Sequence, residues 1–263
     1  SNQDEIILCP EQGFFAVSDG MGGLRDGGKT SAMIKQVLPE MMGEALQELS
    51  AKFSLEYAQE LLKNSAALLS DSIYEAGNEG RSIEYGATLC GVWLIGQHAV
   101  VVNIGDSRAY HYQKRTRTFS QVTKDHNIAA LLVESGELTR EEAKHHLTSS
   151  RITRFMGMPQ PALPDTFVLE LEIGDCLLFC SDGLHGMLED EKMDELMRSA
   201  PDTEAACRTL IDAANEAGGR DNISAVVLQI RKPGIMDAAT AAIKKVSAAF
   251  GLNPKPSDDK IEN

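Results

Sequence analysis

The chain has 263 residues, 43% hydrophobic and 24% charged, which is enough apolar content to bury a sizeable core in one large domain or two small ones. Its 25 Lys and Arg stand against 39 Asp and Glu, a net charge of −14, which argues against a nucleic-acid backbone or an anionic membrane as partner. The longest apolar runs, such as Ala99 to Val102 and Cys176 to Cys180, fall far short of the ~20 residues that span a bilayer. Residues 1–30 lack the basic start and apolar middle of a signal peptide, so a cytoplasmic protein is expected.

In chain order, Gly13 to Ser18 reads as a strand, and two long helices follow. The first runs from Thr30 to Leu49 with apolar residues at Met33, Val37, Met41, Ala45 and Leu49. Pro39 is expected to kink it. The second runs from Leu55 to Ala76 with Leu55, Leu62, Ala66, Leu69 and Ile73 on one face. Four short strands come next, at Ala87 to Ile95, His98 to Ile104, Ala109 to Gln113 and Thr118 to Val122. The connections Gly96-Gln97 and Lys114 to Arg117 are too short for a crossover helix, so these strands must run antiparallel. The segment from Thr123 to Gly157 is polar and reads as an insertion with short helices, one opened by a capping box at Thr139-Arg140-Glu141-Glu142. Further strands are expected at Thr166 to Leu171, Cys176 to Cys180 and Ile223 to Ile230, with helices near Glu189 to Arg198 and Thr203 to Ala217. Antiparallel strands with segregated helices define an α+β fold. After Pro233-Gly234 a tail carries Ile235, Ala239, Ile243, Val246 and Phe250 at helical spacing, then dissolves into Pro and charge from Asn253.

The five cysteines, Cys9, Cys90, Cys176, Cys180 and Cys207, are scattered and mostly embedded in apolar runs, which reads as buried free thiols. Cys176 and Cys180 have no second Cys or His pair to make a zinc site. Four aspartates carry the chemistry. Asp19, Asp106 and Asp182 each follow an apolar strand beside glycine, and Asp221 precedes one in Gly219-Arg220-Asp221-Asn222. A single such Asp is ordinary turn chemistry. Four together at the rim of a core form a like-charge cluster that needs cations, and carboxylate, carbonyl and water ligands suit Mg²⁺ or Mn²⁺. Such a site activates water for in-line attack on phosphorus, so phosphate-ester hydrolysis is the reaction class indicated. No cysteine is followed six residues later by Arg and there is no Asp-x-Asp-x-Thr motif, so a covalent Cys or Asp intermediate is disfavoured.

A rival motif lies next to the first aspartate. Gly23 to Thr30 fits the phosphate-binding loop of nucleotide hydrolases, with Leu177 to Asp182 as an acidic-ended strand. Asp26 inside an anion cradle and the short hairpins, which conflict with a parallel sheet, count against it.

In ordered succession the motifs Asn2-Gln3-Asp4, Val17 to Gly23, Gly86-Ala87-Thr88, Gly105 to Tyr110, Thr123 to His126, Ser181 to Leu184 and Gly219 to Asn222 closely resemble the metal-dependent Ser/Thr protein phosphatases, the PPM or type 2C family, in a bacterial form. The resemblance implies an α-β-β-α sandwich of two antiparallel sheets flanked by helices, with a catalytic domain over 1–231, a flap over about 128–157 and a C-terminal tail over 232–263. It implies that Asp19 bridges two metals, that the Gly20 carbonyl helps hold one, and that Asp182 and Asp221 complete the other. Asp106 serves a third metal with Asp182, Asp4 acts through a metal-bound water, and Asn222 shapes the turn presenting Asp221. The implied cofactors are two or three Mn²⁺ or Mg²⁺ ions. The implied partners are a phosphoprotein substrate and an opposing Ser/Thr kinase, for an enzyme acting as a monomer.

Three positions depart from the family pattern. A phosphate-gripping Arg lies three residues ahead of Asn2 in the family, which falls before Ser1, so either the sequence given is a piece of a longer chain or phosphate binding is weakened. Gln3 stands where a metal-binding Glu is frequent, and its neutral amide is the weaker ligand. Met21 replaces a His proposed as general acid in many eukaryotic members, which leaves a metal-bound water or His126 to protonate the leaving alkoxide. If these departures disable turnover, the domain is a pseudophosphatase that binds phosphoproteins. His98, His111, His145 and His146 read as packed or solvated side chains, and His185 as a supporting residue or a helix start.

Overall fold

The computed structural model describes residues 2–21, 27–51, 54–77, 85–144, 146–159 and 162–231. One antiparallel sheet has the order β1 (Asp4–Cys9), β2 (Phe14–Asp19), β3 (Leu89–Ile95), β4 (His98–Ile104) and β7 (Asp165–Glu170). The other has the order β6 (Thr118–Gln121), β5 (Arg108–Gln113), β8 (Cys176–Cys180) and β9 (Ala225–Gln229). Helices α1 (Gly27–Ala51) and α2 (Leu55–Gly77) pack on the first sheet, while α6 (Asp190–Ser199) and α7 (Thr203–Glu216) pack on the second. The fold is the α-β-β-α sandwich that the sequence implied.

Alternation along the strands builds three cores in four layers. In β3 and β4, Leu89, Trp93, Val100, Val102 and Ile104 point to α1 and α2. Their neighbours Cys90, Val92, Ala99 and Val101 meet Leu177 and Phe179 of β8 between the sheets. On the far side of β8, Leu178 and Cys180 join Met193 of α6 and Leu210 and Ala214 of α7. Strands buried on both faces have no polar residue to alternate with, so they read as continuous apolar runs.

Two expectations need correcting. The buried stripe of α1 is Ile34, Leu38, Met42, Ala45 and Leu49, with Met33, Val37 and Met41 only at its margin. The stripe is thus one residue out of phase over its first half, because Met and Val at the edge of a wide apolar face mimic its centre. The helix also starts at Gly27 rather than Thr30 and continues through Pro39. The lost N–H and ring clash cost about 3 kcal/mol, which burial of that long face offsets. Strand β1 was not foreseen, because Asp4 and Glu5 break its apolar pattern. It pairs with β2 along its whole length and sets Asp4 opposite Asp19.

The insertion carries α3 (Ile128–Glu134) and α4 (Arg140–Lys144). The capping box forms as expected: the Glu142 N–H donates to Thr139 Oγ1 at 3.2 Å, and the Thr139 N–H donates to Glu142 Oε2 at 2.8 Å. Its base is closed by the Ile128 N–H donating to the Arg151 carbonyl and the Thr153 N–H donating to that of His126. The tail stripe from Ile235 to Phe250, His145 and the stretch from Gly22 to Asp26 lie outside the described residues.

Candidate active site

Five aspartates meet at one end of the sandwich, where the two sheets abut. Asp4 opens β1 and Asp19 closes β2, paired across the ladder. Asp106 sits in the turn from β4 to β5, Asp182 begins the short helix α5 (Asp182–His185) after β8, and Asp221 lies in the loop before β9. Cross-strand like charges such as Asp4 and Asp19 oppose the ladder's stability, so their placement has a use other than folding.

Each is held by neighbours that a lone motif does not reveal. The Asp19 N–H donates to Thr88 Oγ1 at 3.0 Å and its carbonyl accepts from the Thr88 N–H at 2.8 Å. Asp4 Oδ2 accepts from Ser181 Oγ at 2.8 Å, and Ser181 Oγ accepts from the Ser224 N–H, which ties the first sheet to the second. Gln3 acts through its backbone. Its carbonyl accepts from the Gly20 N–H at 3.0 Å and from Ser31 Oγ, while its N–H donates to Asn222 Oδ1 at 2.8 Å. The Asn222 N–H in turn donates to Asp221 Oδ1. Asn222 therefore both shapes the Asp221 turn and fastens it to the start of β1. Gly20 is needed because a Cβ there would lie 2.8 Å from the Gln3 carbonyl oxygen and closer still to Gly27, and Gly183 because a Cβ would collide with the Asn222 carbonyl.

The Asp106 turn is clamped on several sides. Gly105 has φ of +113° and donates its N–H to His126 Nδ1 at 3.2 Å. That leaves His126 Nε2 as the protonated nitrogen, donating to Asp165 Oδ2 at 3.1 Å. Burial, then the charge of Arg154, pushes the His126 pKa down. Both ring nitrogens are engaged in this neutral form, so His126 holds the turn and is not a proton donor to a substrate. His185 Nε2 donates to the Asp106 carbonyl at 2.9 Å, and burial beside Arg108 pushes its pKa down to about 3. His185 is the last residue of α5, and its ring ties that helix to the Asp106 turn.

Beneath this turn Arg108 forms a bidentate pair with Asp125, at 2.9 and 2.7 Å, and reaches the Tyr110 hydroxyl at 3.2 Å. The Tyr110 hydroxyl donates to Asp190 Oδ1 at 3.1 Å. Burial favours a neutral Asp125, but the Arg108 guanidinium more than offsets this and holds its carboxyl below the usual range.

Three aspartates of the cluster behave in the opposite way. Burial, then the charges of Asp4 and Asp182, raises Asp19 to about 10; burial, then Asp182 and Asp125, raises Asp106 to about 8. Asp182 is raised by burial and then by Asp221. Asp4 Oδ1 and Asp182 Oδ1 are buried without a hydrogen-bond partner. Among the described residues, no group of three or more His, Cys, Asp or Glu side chains is arranged to hold a metal ion by itself. The charges of Asp4 and Asp182 nonetheless bear on Asp19, and a cluster of this kind suits hard cations whose shells are completed by a carbonyl and water. Orphaned carboxylate oxygens and suppressed ionisation are what a cation would relieve, so the residues fit divalent ions. All five thiols are pushed up, first of all by burial, so none is a thiolate nucleophile.

The rival nucleotide-binding reading fails on topology. Strand β2, which would feed the phosphate loop, runs antiparallel to both neighbours, and Asp182 follows a strand of the other sheet. A phosphate-loop fold needs these two strands parallel in one sheet. A groove of about 870 Å³ opens instead from Asp106 and Asp182 between helices α3 and α4 and the start of α6, passing Lys124, Arg140 and Lys144.

The Protein phosphatase 2C family matches residues 1–226. The Ser/Thr phosphatase Stp of Listeria monocytogenes is 31% identical over 213 residues, covering 81% of this chain and 82% of its own. The crystal structure of Ser/Thr phosphatase Stp1 from Staphylococcus aureus superposes with a TM-score of 0.77 at 28% identity, covering 88% of this chain and 90% of that one. The catalytic domain of the Ser/Thr protein phosphatase PstP, solved with two manganese ions, superposes with a TM-score of 0.66 at 26% identity, covering 88% and 92%. A sandwich with acidic residues gathered at one end of its two sheets is the architecture of a metal-dependent phosphatase. This chain belongs to the protein phosphatase 2C family of metal-dependent protein Ser/Thr phosphatases.

Proposed function

We propose that the chain removes phosphate from Ser and Thr of phosphoproteins in one step at the Asp19 cluster, opposing a Ser/Thr kinase. In this reading Asp19 would hold two divalent ions, Mn²⁺ or Mg²⁺. The Gly20 carbonyl would help hold one, Asp182 and Asp221 would hold the other with Asp4 acting through water, and Asp106 with Asp182 would serve a third. When bound, such ions lower the pKa of water and draw in a dianionic ester. The observation that carries the reading is the pair of buried, partnerless oxygens on Asp4 and Asp182 beside Asp19, whose carboxyl is pushed up to about 10 by burial and by their charges.

This chain's own residues set the geometry. Ser181 and the Asp4–Asp19 register fix the two facing carboxylates, and the Asn222–Gln3 bond fixes the loop of Asp221. The flap at 128–157 edges the groove along which a phosphoprotein segment reaches the aspartates. Met21 carries no proton to donate and His126 is committed to Gly105 and Asp165, so protonation of the leaving alkoxide falls to water. Residues 1–231 act as one catalytic domain, working as a monomer. Among the described residues no helix is long and apolar enough to cross a membrane.

Incubation of p-nitrophenyl phosphate, a phosphothreonine peptide and ATP with Mn²⁺, Mg²⁺ or EDTA tests this. Release from the first two but not ATP, abolished by EDTA, is expected. Metal-bound but inactive protein would favour the pseudophosphatase, and ATP hydrolysis would overturn the assignment.

A pH effect also follows. In metal-free protein, folded Asp19 and Asp106 keep protons to about pH 10 and about pH 8, whereas unfolded Asp releases them near 3.8. The folded state thus binds more protons, and metal-free stability falls as pH rises between these limits. From about pH 7 to about pH 8 unfolded histidines are mostly neutral and unfolded thiols mostly protonated, so the aspartates carry most of the change. Scanning calorimetry should show Tm in EDTA falling across that window and the increment from Mn²⁺ growing. An increment independent of pH contradicts the reading.

A further inference from the structure

Thr88 is fully enclosed, at 1% exposure, and is the residue that touches both ends of the aspartate cluster. Its Oγ1 accepts from the Asp19 N–H at 3.0 Å, and its backbone N–H donates to the Asp19 carbonyl at 2.8 Å. Its carbonyl accepts from Ser18 Oγ at 2.7 Å, so the last two residues of β2 are fastened to it. On its other side Oγ1 lies 2.6 Å from Ser107 Oγ, and Ser107, with 0% exposure, is the residue after Asp106. The Thr88 side chain also packs against Gly105, the residue before Asp106: a Cβ on Gly105 would sit 2.6 Å from Thr88 Cβ.

The two hydroxyls are the polar link between the end of β2 in one sheet and the turn that enters β5 in the other. In a low-dielectric site a hydrogen-bonded chain from the Asp19 amide through two hydroxyls is stiff, because a displaced member leaves a buried group unpaired. We propose that Thr88 is a positioning residue that couples Asp19 to Asp106, so that cation binding at the Asp19 end and at the Asp106 end is interdependent. This rests on the metal-site reading above. The coupling runs Asp19 amide, Thr88 Oγ1, Ser107 Oγ, Asp106 turn. Thr88 touches no substrate or ion itself.

The test is Mn²⁺ binding by titration calorimetry on the full chain, well below the melting temperature, for wild type and for Thr88→Val, Thr88→Ser, Ser107→Ala, Asp106→Asn and Asp19→Asn. Thr88→Val keeps the shape but removes the acceptor, and should weaken Mn²⁺ binding about tenfold, which corresponds to one lost buried hydrogen bond. Thr88→Ser should restore binding to near the wild-type value. Ser107→Ala removes only the hydroxyl link, and should weaken binding in the native background but have no effect in an Asp106→Asn background. A purely structural Thr88 would lower Tm in EDTA yet leave the isotherm of the folded protein unchanged, and that result overturns the proposal. If Thr88→Val does not fold, an equal Ser107→Ala effect in both backgrounds overturns it instead. Asp19→Asn is the separate control: undiminished binding there means that the site reading itself has failed, whereas lost binding there beside an unaltered Thr88→Val isotherm sinks only the coupling.

Discussion

Asp19→Asn should reduce phosphatase turnover by about a thousandfold in saturating Mn²⁺, corresponding to roughly 4 kcal/mol of lost charge stabilisation. Asp19 is the central member of the cluster, raised to about 10 by burial and by the charges of Asp4 and Asp182, and it is the proposed bridge between two ions. A neutral amide keeps the shape and the backbone bonds to Thr88 but supplies at most one weak oxygen ligand. The same substitution should leave the metal-free fold at least as stable as wild type at pH 8, because folding of the wild type there must protonate a carboxyl that is ionised in the unfolded chain, and the amide carries no such cost. Lost activity together with preserved Tm in EDTA separates a functional carboxylate from a structural one. Near-normal turnover of the variant contradicts the assignment.

Asp125→Ala should have the largest effect on stability. It strands the Arg108 guanidinium in a buried pocket without its bidentate partner, at a cost of about 3–5 kcal/mol. For a domain of this size that lowers Tm by about 10 °C. The sign with pH is fixed by the depressed Asp125 pKa: its contribution is fully present above the unfolded value of 3.8 and is lost as pH falls through the lower folded value. Replacing both partners by apolar residues, Arg108→Met with Asp125→Leu, should recover much of the loss, since an uncompensated charge is then no longer buried. A single Asp125→Ala variant that melts with wild type would show that Arg108 finds another partner.

Much of this architecture was legible in the sequence because both sheets are buried on both faces, so that Ala99 to Val102 and Leu177 to Cys180 announce themselves as apolar runs. Short connections fixed the antiparallel sense of their neighbours. Strand β1 escaped because its first residues, Asp4 and Glu5, serve the rim and not the core. The phase of α1 escaped because Met33, Val37 and Met41 are apolar residues at the margin of a wide buried face. Asp19, Asp106, Asp182 and Asp221 were visible from the glycines near them, whereas Asp4 came only with the family resemblance. What no spacing shows is how they are held: the Ser181 bond to Asp4, the Asn222 bond to the backbone of Gln3, and the Arg108–Asp125 pair all join residues from different motifs. Those motifs, quoted separately along the chain, meet only when the two sheets pack.

The most direct measurement is the anomalous scattering of manganese in crystals of this chain grown with Mn²⁺. The account predicts two peaks flanking Asp19, one beside the Gly20 carbonyl and one shared with Asp182 and Asp221, with a further peak at Asp106 and Asp182 as Mn²⁺ is raised. Manganese bound elsewhere, with Asp19 touching none of it, would contradict it.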